Sequence, residues 1–149
     1  MRDVLRPFVT AIDHVGVAVA DLDEAIEFHR ENFGLDAAHT EENAEQGIRE
    51  AMMRVPGDGG AGTAVQLLAP LNEESTITKF LGRKGPGLQH LAYRVSDVDA
   101  AADALREAGL RLLYPQARRG TSNSRVNFVH PKDAGGVLVE LVEPANAGQ

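Results

Sequence analysis

From Ile12 to Val19 the chain alternates with a period of two. Val15, Val17 and Val19 fall on one face; Ile12, His14, Gly16 and Ala18 fall on the other. This is the pattern of a strand. Its second face is small apart from Ile12 and the histidine, which suits a cavity wall better than a filled core. The period then changes. Leu22, Ala25, Ile26 and His29 follow helical spacing behind Asp21, and Asp21 with Glu24 has the spacing of a capping box. Gly34 is the predicted stop. Residues 35–55 read as extended structure, broken by a polar run at 42–47, with Ile48, Glu50 and Met52 alternating against Arg49, Ala51 and Met53. Pro56–Gly62 reads as a turn. Ala64–Pro70 is the next strand. Ile77, Phe80 and Leu81 then predict a short helix over 72–81 with Asn72 as N-cap, and 82–87 reads as a linker. Residues 1–10 read as a loose lead-in.

The second half repeats the first. His90, Val95, Asp97 and Asp99 each lie 76 positions after His14, Val19, Asp21 and Asp23. Val98, Ala101, Ala102 and Leu105 repeat the helix spacing, and Gly109 ends it. Residues 111–114 suggest a short strand, 118–125 a polar loop, 126–130 a strand, 131–136 a hairpin turn and 137–144 the last strand. Val65–Pro70 matches Val139–Pro144 at an offset of 74. Repetition of this kind sets the architecture. The predicted fold is α+β. Two tandem βαβββ modules, 12–70 and 88–144, form a curved, mostly antiparallel sheet within a single domain of 149 residues.

Composition narrows the function. A formal charge of −7 disfavours a nucleic-acid partner. With no cysteine, disulfides, thiolate catalysis and cysteine metal sites are excluded. No apolar run is long enough for a bilayer, so no membrane partner is expected. The first residues lack the apolar core of a signal peptide, which leads to an expected cytoplasmic location.

The repeat also organises the chemistry. His14 and His90 occupy the first strand of each module; Gln66 and Glu140 occupy the last. Two imidazoles, a carboxylate and an amide oxygen make a mixed nitrogen and oxygen donor set for a divalent first-row ion, Co, Mn, Ni, Fe or Zn. A lone strand histidine is more often a packing residue, and a buried glutamine is usually just hydrogen-bonded. The residues alone leave the metal site and ordinary packing equally open. Glu50 shares a strand face with Ile48 and Met52. A carboxylate there is costly unless paired or functional, or else it is exposed at a strand edge. His29, His39 and His130 break the symmetry and read as structural or exposed. Glu41, Glu42 and Glu45 read as a solvated acidic loop, and Arg118, Arg119 and Arg125 as surface charge.

At these positions the chain resembles the vicinal oxygen chelate, or glyoxalase-like, superfamily, and within it the methylmalonyl-CoA epimerases. The likeness rests on Ile12–Val19, Glu45-Gln-Gly-Ile-Arg-Glu50, Gln66–Asn72, Glu74–Ile77, Gly87–Tyr93 and Asn127–Pro131. The His14-Val15 and Glu140-Leu141 pieces mark only the superfamily; Pro70–Ile77 and Glu45–Glu50 carry the narrower likeness. It spans residues 12–144. The resemblance implies a metal-containing cleft in which His14, Gln66, His90 and Glu140 bind a divalent ion, often cobalt. It implies that Glu50 and Glu140 stand on opposite faces of the substrate carbon, with methylmalonyl-CoA as substrate and a homodimer as assembly. Such an enzyme would exchange a proton by two bases through a metal-stabilised enolate. Metal binding would lower the basicity of Glu140, while burial would raise that of Glu50. Ser122 and Asn123 are candidate donors to the substrate carboxylate. Two alternatives stand beside this reading. A glyoxalase I-like lyase would be expected to carry a carboxylate at Gln66. A non-catalytic small-molecule-binding protein of the same fold would lack the ligand set.

Overall fold

The computed structural model describes residues 3–145. In chain order it contains β1 (Val9–Ala18), α1 (Leu22–Phe33), β2 (Asp36–Asn43), β3 (Ile48–Arg54), β4 (Ala64–Pro70) and α2 (Thr76–Lys84). The second half contains β5 (Gly87–Val95), α3 (Val98–Glu107), β6 (Arg118–Arg119), β7 (Arg125–Val129) and β8 (Val139–Glu143). Short 3-10 turns cover Thr121–Asn123 and Pro131–Asp133. The fold is α+β, as the alternating periods predicted. Two compact units divide it: residues 14–89 form one, and residues up to 13 join those from 90 onward in the other.

In the first unit, 14–89, the strands lie in the order β2-β3-β4-β1. β3 runs antiparallel to β2 and β4, and β4 runs parallel to β1. Asp21 caps α1 by accepting from the Glu24 backbone N–H at 3.0 Å, and Gly34 closes it in the left-handed region at φ 69°. Leu22 of that helix packs on Ala51, Met53, Leu67 and Ala69. The opposite sheet face carries Ala18, Ile48 and Leu68, covered by Ile77 and Phe80 of α2. The α2 cap is Ser75, whose hydroxyl accepts from Ile77 N–H, and not Asn72. Asn72 instead holds the preceding turn, accepting from Glu74 N–H and from the Thr78 hydroxyl. The helix also takes in residues 82–84, expected as linker, because Gly82 and its neighbours complete a turn that ends at Gly85.

In the second unit β5, β8, β7 and β6 are neighbours in that order, and residues 9–13 of β1 border β5. Asp97 caps α3 by accepting from Ala100 N–H at 3.0 Å, repeating Asp21 at the same offset. Val98, Ala101 and Leu105 bury one stripe of α3 against Val95, Val129 and Leu141. Burial of each such aliphatic side chain is worth ~1.5–3 kcal/mol. Leu5 and Phe8 pack on the same cluster, and Phe8 C=O accepts from Ser96 N–H at 2.9 Å. From Val4 on, the lead-in is therefore docked and not loose; its first two residues lie outside the described part of the chain. Residues 111–114 reduce to a single bridge, Leu112 to Val129, and the expected polar loop 118–125 contains the two-residue β6. No described helix is long and apolar enough to cross a membrane.

Candidate active site

Strand register places the candidate residues of the first unit on one face. Gly16 of β1 lies opposite Gln66 of β4, and Met52 of β3 lies on Gln66's other side. His14 is two residues from Gly16, and Glu50 is two from Met52. Side chains two apart on a strand point the same way, so His14, Gln66 and Glu50 share a sheet face. That face is the one α2 covers at its far end, through Ala18, Ile48 and Leu68. All three polar residues are buried, Glu50 to 1 % exposure. The strand-edge reading of Glu50 is thus wrong. It sits on β3 between β2 and β4, where a carboxylate carries a large desolvation cost.

The second unit repeats the arrangement with different side chains. Ala92 of β5 pairs with Glu140 of β8, and Phe128 of β7 faces Glu140 from the other side. His90, two residues before Ala92, shares their face. His90 Nε2 lies 3.1 Å from Glu140 Oε1, and both side chains are buried. The His90 ring meets Phe128 edge-on at 6.1 Å, and Phe128 meets Tyr114 likewise at 5.8 Å. The Arg118 guanidinium lies 4.0 Å over the Tyr114 ring. Burial pushes the Tyr114 phenol up; Arg118 pulls against this and the Glu140 carboxylate adds to it.

The donor chemistry of this pair fits a divalent ion. An imidazole nitrogen and a carboxylate oxygen are ordinary ligands of first-row metals. Two ligands at right angles, each about 2.1 Å from an ion, stand about 3 Å apart, close to the separation of His90 and Glu140. Within the first unit, His14 and Gln66 are likewise buried nitrogen and oxygen donors on one sheet face.

Ser122 and Asn123 lie in the 3-10 turn between β6 and β7, and both have left-handed backbones, φ 54° and 59°. Two adjacent non-glycine residues in that region store strain of ~1–3 kcal/mol each. Arg119 donates to Asn123 Oδ1 at 3.1 Å. His29 is structural, donating from Nδ1 to Ala25 C=O at 2.7 Å. His130 caps the turn after β7 by accepting from Lys132 N–H.

The sequence reading expects Glu41 in a solvated loop and His39 as structural or exposed; His39 is both partly exposed and hydrogen-bonded, whereas Glu41 is not in a loop. Residues 41 and 42 belong to β2, and Glu41 is the direct partner of Glu50 across the β2–β3 pair. His39 Nε2 is 2.6 Å from Glu41 Oε1. The signal was present in the alternation of His39, Glu41 and Asn43, which becomes legible once Gly47 is recognised as the turn that folds β2 onto β3. Gly47 takes φ 70° there, and Asn43 Oδ1 accepts from Gln46 N–H beside it.

Comparison with known proteins identifies the family and the fold. Residues 13–128 match the Glyoxalase/Bleomycin resistance protein/Dioxygenase superfamily. The ethylmalonyl-CoA/methylmalonyl-CoA epimerase of Cereibacter sphaeroides is 37% identical over 133 residues, covering 87% of this chain and 95% of that protein. The crystal structure of methylmalonyl-CoA epimerase from Mycobacterium tuberculosis superposes with a TM-score of 0.88 at 58% identity, over 94% of this chain and 91% of that one. A methylmalonyl-CoA epimerase in complex with methylmalonyl-CoA and NH4+ gives a TM-score of 0.87 at 48% identity, over 93% and 96% of the two chains.

Proposed function

We propose that this chain, which belongs to the methylmalonyl-CoA epimerases of the Glyoxalase/Bleomycin resistance protein/Dioxygenase superfamily, interconverts (2R)- and (2S)-methylmalonyl-CoA by two-base proton transfer at C2. The observation that carries the reading is Glu50, a carboxylate 1 % exposed on the same sheet face as His14 and Gln66. Placing it there costs stability, and a proton-transfer role accounts for that cost. The complex of a relative with methylmalonyl-CoA supports the substrate class.

The C2 hydrogen of this substrate lies between a thioester carbonyl and a carboxylate, so its removal leaves an enolate. In this reading Glu50 takes or returns the proton on one face of C2, and Glu140 does so on the other. His14, Gln66, His90 and Glu140 would hold a divalent ion, whose charge would stabilise the negative charge developing on the thioester oxygen. Glu140, as ligand and base at once, is the weaker base of the two. Ser122 and Asn123 offer donors to the substrate carboxylate. The two units act as one domain, and the assembly is a homodimer, which light scattering would check.

Hydrogen exchange at C2 in deuterium oxide tests the reading directly. Both epimers should exchange with metal supplied, and a chelator should stop them. Absence of exchange in the metal-supplied protein would overturn the assignment. His90→Ala should lose the bound ion, read by elemental analysis; stoichiometric metal in that variant would remove His90 from the ligand set.

A further inference from the structure

Epimerisation by two bases leaves the enzyme in the wrong protonation state. When Glu50 has taken the C2 proton and Glu140 has supplied another, the released enzyme carries the Glu50 proton and lacks the Glu140 one. A second turnover in the same direction requires Glu50 to lose its proton and Glu140 to regain one from solvent. A side chain 1 % exposed exchanges its proton with bulk water slowly by itself, so a route through neighbouring groups would speed the reset.

The first unit contains one. Glu41 stands opposite Glu50 in the β2–β3 register, and side chains directly opposite across antiparallel strands have Cβ atoms about 4.5–5.5 Å apart on the same face. Two carboxyl groups at that spacing can reach one another directly or through one water. Glu41 is itself mostly covered, with a side chain 17% exposed, while the His39 side chain that meets it at 2.6 Å is 41% exposed. Exposure thus rises stepwise along Glu50, Glu41 and His39, from the sheet interior to solvent. The neighbouring Glu42 turns to the other face, where it lies 3.5 Å from Arg49, and takes no part.

We propose that Glu41 and His39 form a proton relay that resets Glu50 between turnovers. The inference rests on the epimerase reading above. In the outward direction the protonated Glu50 carboxyl gives its proton to the Glu41 carboxylate. Glu41 passes it to Nε2 of a neutral His39, the imidazolium so formed releases its Nδ1 proton to water, and tautomer exchange through water returns the imidazole to its Nδ1–H form. The reverse order loads Glu50. No bond other than those to the moving protons changes, and no co-reactant is needed. Neither residue touches the substrate carbon; both act through Glu50.

A reset of the free enzyme follows product release, so it limits turnover at saturation and leaves the first encounter with substrate untouched. The relay therefore predicts a separation of the two kinetic constants. In Glu41→Gln, kcat should fall on the order of tenfold, within the range of a lost proton-transfer group, while kcat/KM stays near the parental value. His39→Ala should show the same split more weakly, and added imidazole should restore kcat. Initial rates in both directions, measured on metal-loaded protein, give all of these values. If kcat and kcat/KM fall together in Glu41→Gln and imidazole does nothing for His39→Ala, the pair merely supports the strand and the relay is overturned. Parental kinetics in both variants would overturn it equally. A parental protein that does not interconvert the epimers would instead refute the epimerase reading, so the two failures are distinguishable.

Discussion

The two units share a plan and part company at one position. Gly16, Gln66 and Met52 form a row across the first sheet; Ala92, Glu140 and Phe128 form the corresponding row in the second. Two residues before Met52 stands Glu50, facing Glu41. Two residues before Phe128 stands Val126, facing Arg118. One unit therefore places an acid opposite an acid, and the other an aliphatic side chain opposite a cation. Val126 is as buried as Glu50, each 1 % exposed, so the space is equivalent and the chemistry is not. The proposed reaction removes a proton from one face and returns it on the other, so it needs the faces to differ, and under that proposal the departure at Glu50 would supply the difference.

The largest effect should come from removing it. Glu50→Gln keeps the size and polarity of the side chain, and epimer interconversion should drop by about 10²–10⁴-fold, the usual contribution of a positioned acid or base. Metal content should not change, because Glu50 is not in the proposed ligand set. The sharper expectation concerns exchange. With Glu140 intact, deuterium should still enter at C2 of one epimer while the other stays inert, followed by NMR. Exchange of both epimers at the parental rate would mean that the two faces do not depend on separate carboxylates.

Much of this was legible in the sequence because it rests on local rules. Asp21 and Asp97 cap helices as their spacing predicted, and the 76-residue repeat located His14 and His90 on equivalent strands. What stayed hidden depends on pairing between strands. The partner of Glu50 is set by where Gly47 folds the chain back, and moving that turn by one residue would have turned Glu41 to the other face. The acidic composition of 41–45 pointed to solvent, which holds for Glu42 and Glu45, while register turned Glu41 toward Glu50. The second unit's outer strand was hidden for a related reason. β6 has two residues and follows no periodic pattern, so Arg118 read as surface charge although its guanidinium is stacked on Tyr114.

That difference between outer strands can itself be probed. The short β6 and its loop approach Val126 through Gly120. A Cβ on Gly120 would lie 2.7 Å from Val126 Cγ1 and 2.8 Å from Ser124 Oγ. Gly120→Ala must push the loop off β7, at a cost of ~1–3 kcal/mol. For a domain of this size the Tm should fall by roughly 2–12 °C. Because the displaced loop carries Ser122 and Asn123, KM should rise with little change in kcat. A parental Tm would mean that the loop yields without strain and that the edge of the second unit is no more constrained than that of the first.

The smallest effect separates the loops that lead into the last strand of each unit. Before β4, Asp58 Oδ2 lies 3.8 Å from Arg54 Nη1, within a glycine-rich turn. Before β8, Asp133 accepts from Arg111 three times: from the backbone N–H at 2.9 Å, from Nε at 2.9 Å and from Nη2 at 3.1 Å. Those bonds, the side-chain one foremost, hold the Asp133 carboxyl down to about 2 from 3.8. A carboxyl whose pKa is lowered by folding stabilises the fold above its unfolded value and loses that contribution as pH falls through the folded one. Asp133→Asn should therefore lower the urea midpoint by a constant small amount from neutral pH down to about 4, and the gap should close between about 4 and 2. The pair is exposed, so added salt should narrow the gap at neutral pH as well. A gap that persists unchanged to the acid end of that window would assign the loop's stability to the shape of the turn and not to the carboxylate, leaving the two units' loops alike in this respect.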